Sequence, residues 1–538
     1  MALRAVAVAA PDWIAGSKDA AALNSRDPVS LFNACRYAAL LAQQPPGSGS
    51  AWSASNWAVP RRTLREKTLL MYSLDDMPAF EALLLRERPN LLLIGAMTLC
   101  FPGAIRCAER AKELLGHEVL VVLGGRHASE TMYLASRADR RDEAVRHHAG
   151  SALQLMARGR ISPVFDAVIS GDGEHAIAAL GELVAAAESN GGDAGAALRA
   201  APARIDPRTP GDWIVGWLDD HGAVRTVVSR NMPIDYDALP SPSRMFGVSA
   251  SFDVFGGRMT AHVFSDTGRG CIYDCAFCSE RASVTGGLRD HGGAPSRLYR
   301  QLREARDVIA EDHPGRGASA FIEDSVMLGG TPRMVERFAA LLEAEPLDIE
   351  FGGQLTIDQI LTRQAEIARL ARVGFRYVFI GVETLSPEAI GGMSKDVGRK
   401  RASWLQRIED ALSFLQAQNI KCGCAVLFGL GETHESRLEL LTELGRLRQT
   451  VGAPHPISVN WAVQHPLAGE DGGAEYDYVE WGTPPGAHLD IFHRFGEASL
   501  LYPLSHVGRP RLKELREIDA MLARLHREGV HQSFAKAS

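Results

Sequence analysis

The feature that most constrains the fold is a rhythm, in which short apolar runs alternate with amphipathic stretches of helical length along most of the chain. In the first part, Arg4 to Ala9, Lys67 to Tyr72 (KTLLMY), Leu91 to Met97 (LLLIGAM), Val119 to Leu123 (VLVVL) and Phe165 to Ser170 (FDAVIS) read as strands. PAFEALLLRER, Gly103 to Leu115 and EHAIAALGELVAAA read as helices among them. Strands separated by helices of roughly 10 to 15 residues pair in parallel through βαβ crossovers, which predicts a doubly wound α/β domain. The turn-rich patch QQPPGSGSAWSASNWAVP, with Trp52 and Trp57, has no place in that rhythm and reads either as packing or as a cover over a site.

The second part keeps the rhythm with different turns. Ala261 to Ser265, Ala318 to Ile322, Ile349 to Gly352, Tyr377 to Val382, Gly423 to Phe428 and Ile457 to Val463 are strand candidates, with MVERFAALLE, AEIARLARV and WLQRIEDALSFLQAQ between them. Six such units predict a partial (β/α)6 barrel, in which chemistry gathers at the carboxyl ends of the strands. A chain of 538 residues exceeds what one core organises, since cores stop growing at roughly 250 to 300 residues. The expected division is a Rossmann-like domain over 1–200, a linker over 201–255 announced by the Gly/Ala-rich ESNGGDAGAALRAAPAR, a barrel over 256–465, and a small C-terminal extension over 466–538. The extension ends in a helix near Leu512 to Arg527, and its His465, Tyr476, Tyr478 and Trp481 are candidates to cover a site.

Charge and composition narrow the partners. A net charge of −7 leaves no basic footprint for nucleic acid, and no apolar run of about 18 residues exists to span a bilayer. MALRAVAVAAPDW reads as a first buried strand rather than a leader. A cytoplasmic monomer acting on a small-molecule or peptide substrate is the expectation.

Of eight cysteines, Cys271, Cys275 and Cys278 cluster, while Cys35, Cys100, Cys107, Cys422 and Cys424 are scattered, a pattern that favours a metal site over disulfides. The cluster lies in DTGRGCIYDCAFCSE, directly after the strand-like AHVFS, with Gly268 and Gly270 free to let the backbone wrap a ligand. An iron–sulfur cubane normally takes four thiolates, so three leave one iron open for substrate. Zinc, completed by His262 or a distant residue, and three buried thiols are the alternatives. Cys422 and Cys424 stand two apart on one strand and share a face, which suits small core residues better than a second cluster or a redox pair. Cys100 and Cys107 also read as core.

The spacing Cys-x3-Cys-x2-Cys, with Phe277 before the last cysteine, resembles the signature of the radical S-adenosylmethionine (SAM) superfamily. The resemblance implies that Cys271, Cys275 and Cys278 hold a 4Fe–4S cluster whose open iron chelates SAM. One electron, from an external donor such as flavodoxin or ferredoxin, then cleaves SAM to methionine and a 5′-deoxyadenosyl radical. It also implies that Phe277 packs near the adenine and that Glu323 and Asp324 of FIEDS meet the SAM ammonium. GFRYVFIGVETLSPEAIGGMSK is similar to the family's fourth-strand segment, with Glu383 facing SAM. CAVLFGLGETHES is similar to the fifth-strand pattern but omits its proline, keeping the backbone approach at Gly429.

The first domain resembles the cobalamin-binding domain fused ahead of many radical SAM cores. That resemblance places Thr98 and Leu99, the turn Gly124 and Gly125, and Gly171, Gly173 and Glu174 around the cobalamin. The Asp-x-His-x-x-Gly motif of other cobalamin proteins is absent, which leaves the lower face of cobalt unassigned; His127 is near the corresponding loop. The function implied is a cobalamin-dependent radical SAM methyltransferase acting on an unactivated carbon of a natural-product intermediate. Cyclisation or rearrangement with the same parts, a Rossmann-like domain without cofactor, and a non-catalytic cobalamin carrier or sensor are the other readings. A methylthiotransferase fits poorly, because Cys35, Cys100 and Cys107 lack the arrangement of a further cluster.

Overall fold

A computed structural model describes residues 2–11, 27–58, 64–136, 138–188, 194–267, 270–275, 277–285, 288, 290–385, 401–462 and 510–535. Among them, the residues up to Gly247 form one compact unit, and those from Val248 onward form a second.

The first unit is built on β1 (Ala5–Ala9), β2 (Thr68–Leu70), β3 (Leu91–Gly95), β4 (Leu120–Gly124), β5 (Met132–Leu134), β6 (Val145–His147), β7 (Ala167–Gly171), β8 (Trp213–Leu218) and β9 (Val224–Val228). Seven of these form one sheet in the order β2-β1-β3-β4-β7-β8-β9, while β5 and β6 form a separate antiparallel pair. The first five in that order run parallel, and their apolar runs are what strands buried on both faces require. The chain leaves β1 toward β2 and returns past it to β3, so the topological switch point lies between β1 and β3. Ala9, Gly95 and Gly124 stand in register at the carboxyl ends.

One expectation for this unit changes. The segment read as a linker over 201–255 supplies β8 and β9, an antiparallel hairpin that closes the sheet edge, and helix Ala194–Arg199 lies within the Gly/Ala-rich tract. WIVGWL and VRTVV are strand-like runs, and Asp219 accepts from the amides of His221 and Ala223 to make the turn between them. Burial of Trp213, Ile214 and Val215 fixes this hairpin in the sheet. Trp52 and Trp57 are packing residues. Trp52 Nε1 donates to the Ala178 carbonyl and Trp57 Nε1 to that of Ala5, while Glu182 accepts from Ser50 and the Ala51 amide.

The second unit contains β10 (Met259–Val263), β11 (Ala318–Ile322), β12 (Glu350–Gln354), β13 (Phe375–Glu383), β14 (Lys421–Phe428) and β15 (Ile457–Trp461). They form one parallel sheet in chain order, with β10 and β15 as its edges: a partial (β/α)6 barrel. Helices Ala294–Asp312, Pro332–Ala344, Gln364–Arg372, Arg401–Ala417 and His434–Thr450 connect the strands and share a core with them. The last helix, Leu512–Ala535, adds Leu515, Ile518 and Leu525 to that core. No described helix is long and apolar enough to cross a membrane.

Candidate functional site

The three clustered cysteines follow β10. Their loop folds back on itself through the Cys271 amide to the Glu280 carbonyl (2.8 Å) and the Ala282 amide to the Tyr273 carbonyl (2.9 Å). Cys275 is buried with Leu430 and Ala462, and Tyr273, Phe277 and Cys278 pack on the same small apolar cluster. Phe277, Cys275, Cys278 and the turn after β14 are thereby brought together. Among the described residues no group of three or more His, Cys, Asp or Glu side chains converges on a common metal position. The three thiols therefore share a loop without sharing a ligand geometry. In number, type and loop placement they fit an iron–sulfur cluster with three protein ligands. Gly268 lies outside the described residues; Gly270 adopts φ 103°.

Two residues absent from the sequence reading hold the approach to this loop. Arg297 and Gln301 stand one turn apart on helix Ala294–Asp312, so they share a face. Arg297, fully buried, donates to the carbonyls of Ser265 and Asp266, and to both the carbonyl and the carboxylate of Asp290. Gln301 accepts from the Phe264 amide and donates to the Asp266 carboxylate. An Arg and a Gln on the buried face of an otherwise amphipathic helix were the available signal.

The carboxylates at the strand ends divide by task. Asp324 accepts from the amides of Ser265 (2.9 Å) and Leu328 (3.1 Å), and burial, with Asp266 nearby, pushes it up to about 6. It joins the ends of β10 and β11. Glu323 instead meets His262 across the two strands, Oε1 to Nδ1 at 2.5 Å. Glu383 ends β13 just after a register irregularity and sits at φ 61°, a left-handed backbone that costs about 1 to 3 kcal/mol in a non-glycine residue and concentrates at functional sites. The remainder of its motif, 386–395, lies outside the described residues.

After β14, Glu432 accepts from the amides of Gly429 and Leu430 (both 2.8 Å) and pairs with Arg437 Nε at 2.6 Å; both side chains are 1% exposed. Thr433 caps helix His434–Thr450 by accepting from the Ser436 amide. The Gly-Leu-Gly-Glu-Thr turn is thus rigid without the proline. Cys422 and Cys424 face the helical layer, where burial pushes both thiols up and keeps them protonated. Cys35 and Cys107 are likewise buried, with raised thiols. None of these four resembles a cluster ligand.

In the first unit, the predicted residues gather at the carboxyl ends of β3, β4 and β7. Ala96 ties the first two together, donating to the Gly124 carbonyl and accepting from the His127 amide. Gly125 (φ 90°) has no room for a side chain, since a Cβ would lie 2.7 Å from both N and O of Ala96. At Gly171 (φ 84°) a Cβ would overlap the Asp212 carbonyl. The fold itself requires these glycines. Thr98, Leu99 and Glu174 are buried, and Thr98 donates to Glu130 at 3.1 Å. His127 is inside the unit, stacked on Phe101 at 4.0 Å, and burial lowers it to about 3, so it is a neutral interior residue. Met97, by contrast, is 59% exposed at the tip of the β3 loop. His465, Tyr476, Tyr478 and Trp481 lie outside the described residues.

Residues 266–444 match the family described as the Radical SAM superfamily. The chain therefore carries a radical SAM domain, which implies a 4Fe–4S cluster and SAM. The biotin synthase of Azorhizobium caulinodans is 28% identical over 243 residues, 44% of this chain and 66% of that protein. The chain thus spans just under two thirds of that relative's length. The cobalamin-dependent SAM radical enzyme OxsB, solved with aqua-cobalamin and SAM bound, has a TM-score of 0.47 at 15% identity, over 82% of this chain and 52% of that one. The radical SAM methyltransferase TsrM from Kitasatospora setae, solved with cobalamin and a 4Fe–4S cluster, has a TM-score of 0.47 at 14% identity, over 86% of this chain and 75% of that one.

Proposed function

We propose that the chain is a cobalamin-dependent radical SAM methyltransferase that methylates an unactivated carbon of a small-molecule or peptide natural-product intermediate. The observation that carries the radical half is the meeting of the cysteine loop, Phe277 and the Gly429–Leu430 turn at the carboxyl ends of one parallel sheet. The cobalamin half rests on a second, doubly wound unit whose switch point between β1 and β3 is bordered by the Ala96–Gly124 hydrogen bond and the exposed apolar Met97.

Cys271, Cys275 and Cys278 would hold the cluster, with Glu323, Glu383 and the Gly429 backbone around SAM and the β3, β4 and β7 ends around cobalamin. When bound, the cluster supplies the electron that opens SAM, and cobalamin supplies a methyl carrier. The chain's own residues position and shield. Asp324, Arg297 and Gln301 fix the backbone that leads into the cysteine loop. The Glu432–Arg437 pair fixes the turn opposite it. The aromatic rungs Phe252, Phe321 and Tyr377 line the inner face of the half-barrel.

The test is anaerobic reconstitution with iron, sulfide and cobalamin, followed by product analysis with candidate substrates. Methyl transfer yields S-adenosylhomocysteine together with 5′-deoxyadenosine and a methylated product. A second reading is radical chemistry with the same parts but without methyl transfer, such as cyclisation or rearrangement; the similarity to a protein named for biotin synthesis, not methylation, keeps it beside the first. It is supported by deoxyadenosine without S-adenosylhomocysteine. Cys275→Ala should abolish SAM cleavage, and full activity in that variant would sink the cluster assignment.

A further inference from the structure

The sheet of the second unit has two chemically different faces. Ala261, Val263, Ala320 and Ile322 pack into the helical layer. By the two-residue period of a strand, His262 and Phe321, register partners on β10 and β11, occupy the other face. There His262 lies edge-on to Phe252 (5.5 Å between ring centres), which in turn packs on Phe321. Glu323 follows Phe321 by two residues, and its Oε1 meets His262 Nδ1 at 2.5 Å.

Neither member of this pair is sealed in, with side-chain exposures of 15% for His262 and 27% for Glu323. The Glu323 side chain makes its one hydrogen bond among the described residues through Oε1, which leaves Oε2 open. The adjacent Asp324 is different, because its two oxygens are committed to the amides of Ser265 and Leu328. One carboxylate of the pair is therefore taken up by backbone, and the other is oriented by a histidine with an oxygen to spare.

We infer that His262 is a positioning residue: it donates from Nδ1 to Glu323 Oε1 and so presents Oε2 to the ammonium group of SAM. This rests on the SAM site proposed at the same strand ends. A glutamate left free would have to give up rotamer freedom when the cation arrives, whereas a histidine already held against Phe252 orders it beforehand. A carboxylate with one satisfied and one open oxygen is a strong acceptor for an ammonium. Asp324 then acts on the loop, not on SAM.

SAM itself is the probe. Its dissociation constant is measured by anaerobic equilibrium dialysis on the full-length reconstituted protein, with iron content and cluster absorbance recorded in parallel. Glu323→Gln and His262→Ala are expected to weaken SAM binding by about tenfold, the scale of one charge-assisted hydrogen bond, with iron content unchanged. His262→Asn, which keeps an N–H near the place of Nδ1, is expected to restore affinity to within about threefold of wild type. Wild-type affinity in His262→Ala overturns the inference, as does an Asn variant with a full cluster that binds no better than the Ala variant. Where His262→Ala fails to fold, the Asn and Gln variants decide: equal weakness overturns, and recovery in Asn alone supports. SAM affinity is read whether or not cobalamin binds. A wild-type protein that binds SAM but no cobalamin thus counts against the methyltransferase reading alone, and one that binds no SAM removes both.

Discussion

Glu130 shows how one residue carries an observable charge balance. It is fully buried, Thr98 donates to Oε2, and Oε1 has no hydrogen-bond partner. Burial pushes its carboxyl from 4.5 to about 7. A folded-state pKa above the unfolded one means the native state holds the proton more tightly, so this contribution is full below about 4.5 and is lost as pH rises to about 7. Glu130→Gln mimics the protonated acid and should match wild type near pH 4 yet be more stable at pH 8 by about 1 to 3 kcal/mol. Thermal melting at the two pH values checks this; an equal difference at both would show that Glu130 does not titrate in the fold. At the same scale, the sequence pointed to the cysteines, Glu323 and Gly429 by residue type and spacing. It could not tell Glu323 from Asp324, because that distinction lies in which backbone amides the fold brings within reach.

At the scale of elements, the strand-end turns are held by groups of the motifs themselves. Glu432 satisfies two backbone amides and a buried guanidinium, so Arg437→Met would leave a carboxylate buried without its counter-charge. A loss of about 3 to 5 kcal/mol is expected, with lower SAM affinity as the Gly429 turn loosens. Urea unfolding read with SAM dialysis measures both, and a variant of unchanged stability would contradict the clasp. Gly125→Ala should cost about 1 to 3 kcal/mol through its positive φ and the approach to Ala96. The motifs were legible because sharp turns and caps demand particular residue types. The β8–β9 hairpin was missed because the Gly/Ala-rich tract before it obscured two short strands that only the existing sheet edge stabilises.

For the whole molecule, each unit has its own sheet and buries its own apolar residues. Under the proposed function the two cofactors should therefore load independently. Cys275→Ala is expected to keep cobalamin absorbance while losing the cluster, and Gly125→Ala to keep iron content while weakening cobalamin. Parallel loss of both in either variant would refute independent sites. The amino-acid sequence by itself determined the α/β rhythm, the six-stranded half-barrel and the thiol triad, because strand and helix periodicity and cysteine spacing are local properties. Tertiary structure alone decided the edge hairpin, the burial of His127, the helix-facing Cys422 and Cys424, and the pairing of His262 with Glu323. Those depend on residues apart in sequence becoming neighbours, and a side chain's partner, unlike its period, is set only when the chain has folded.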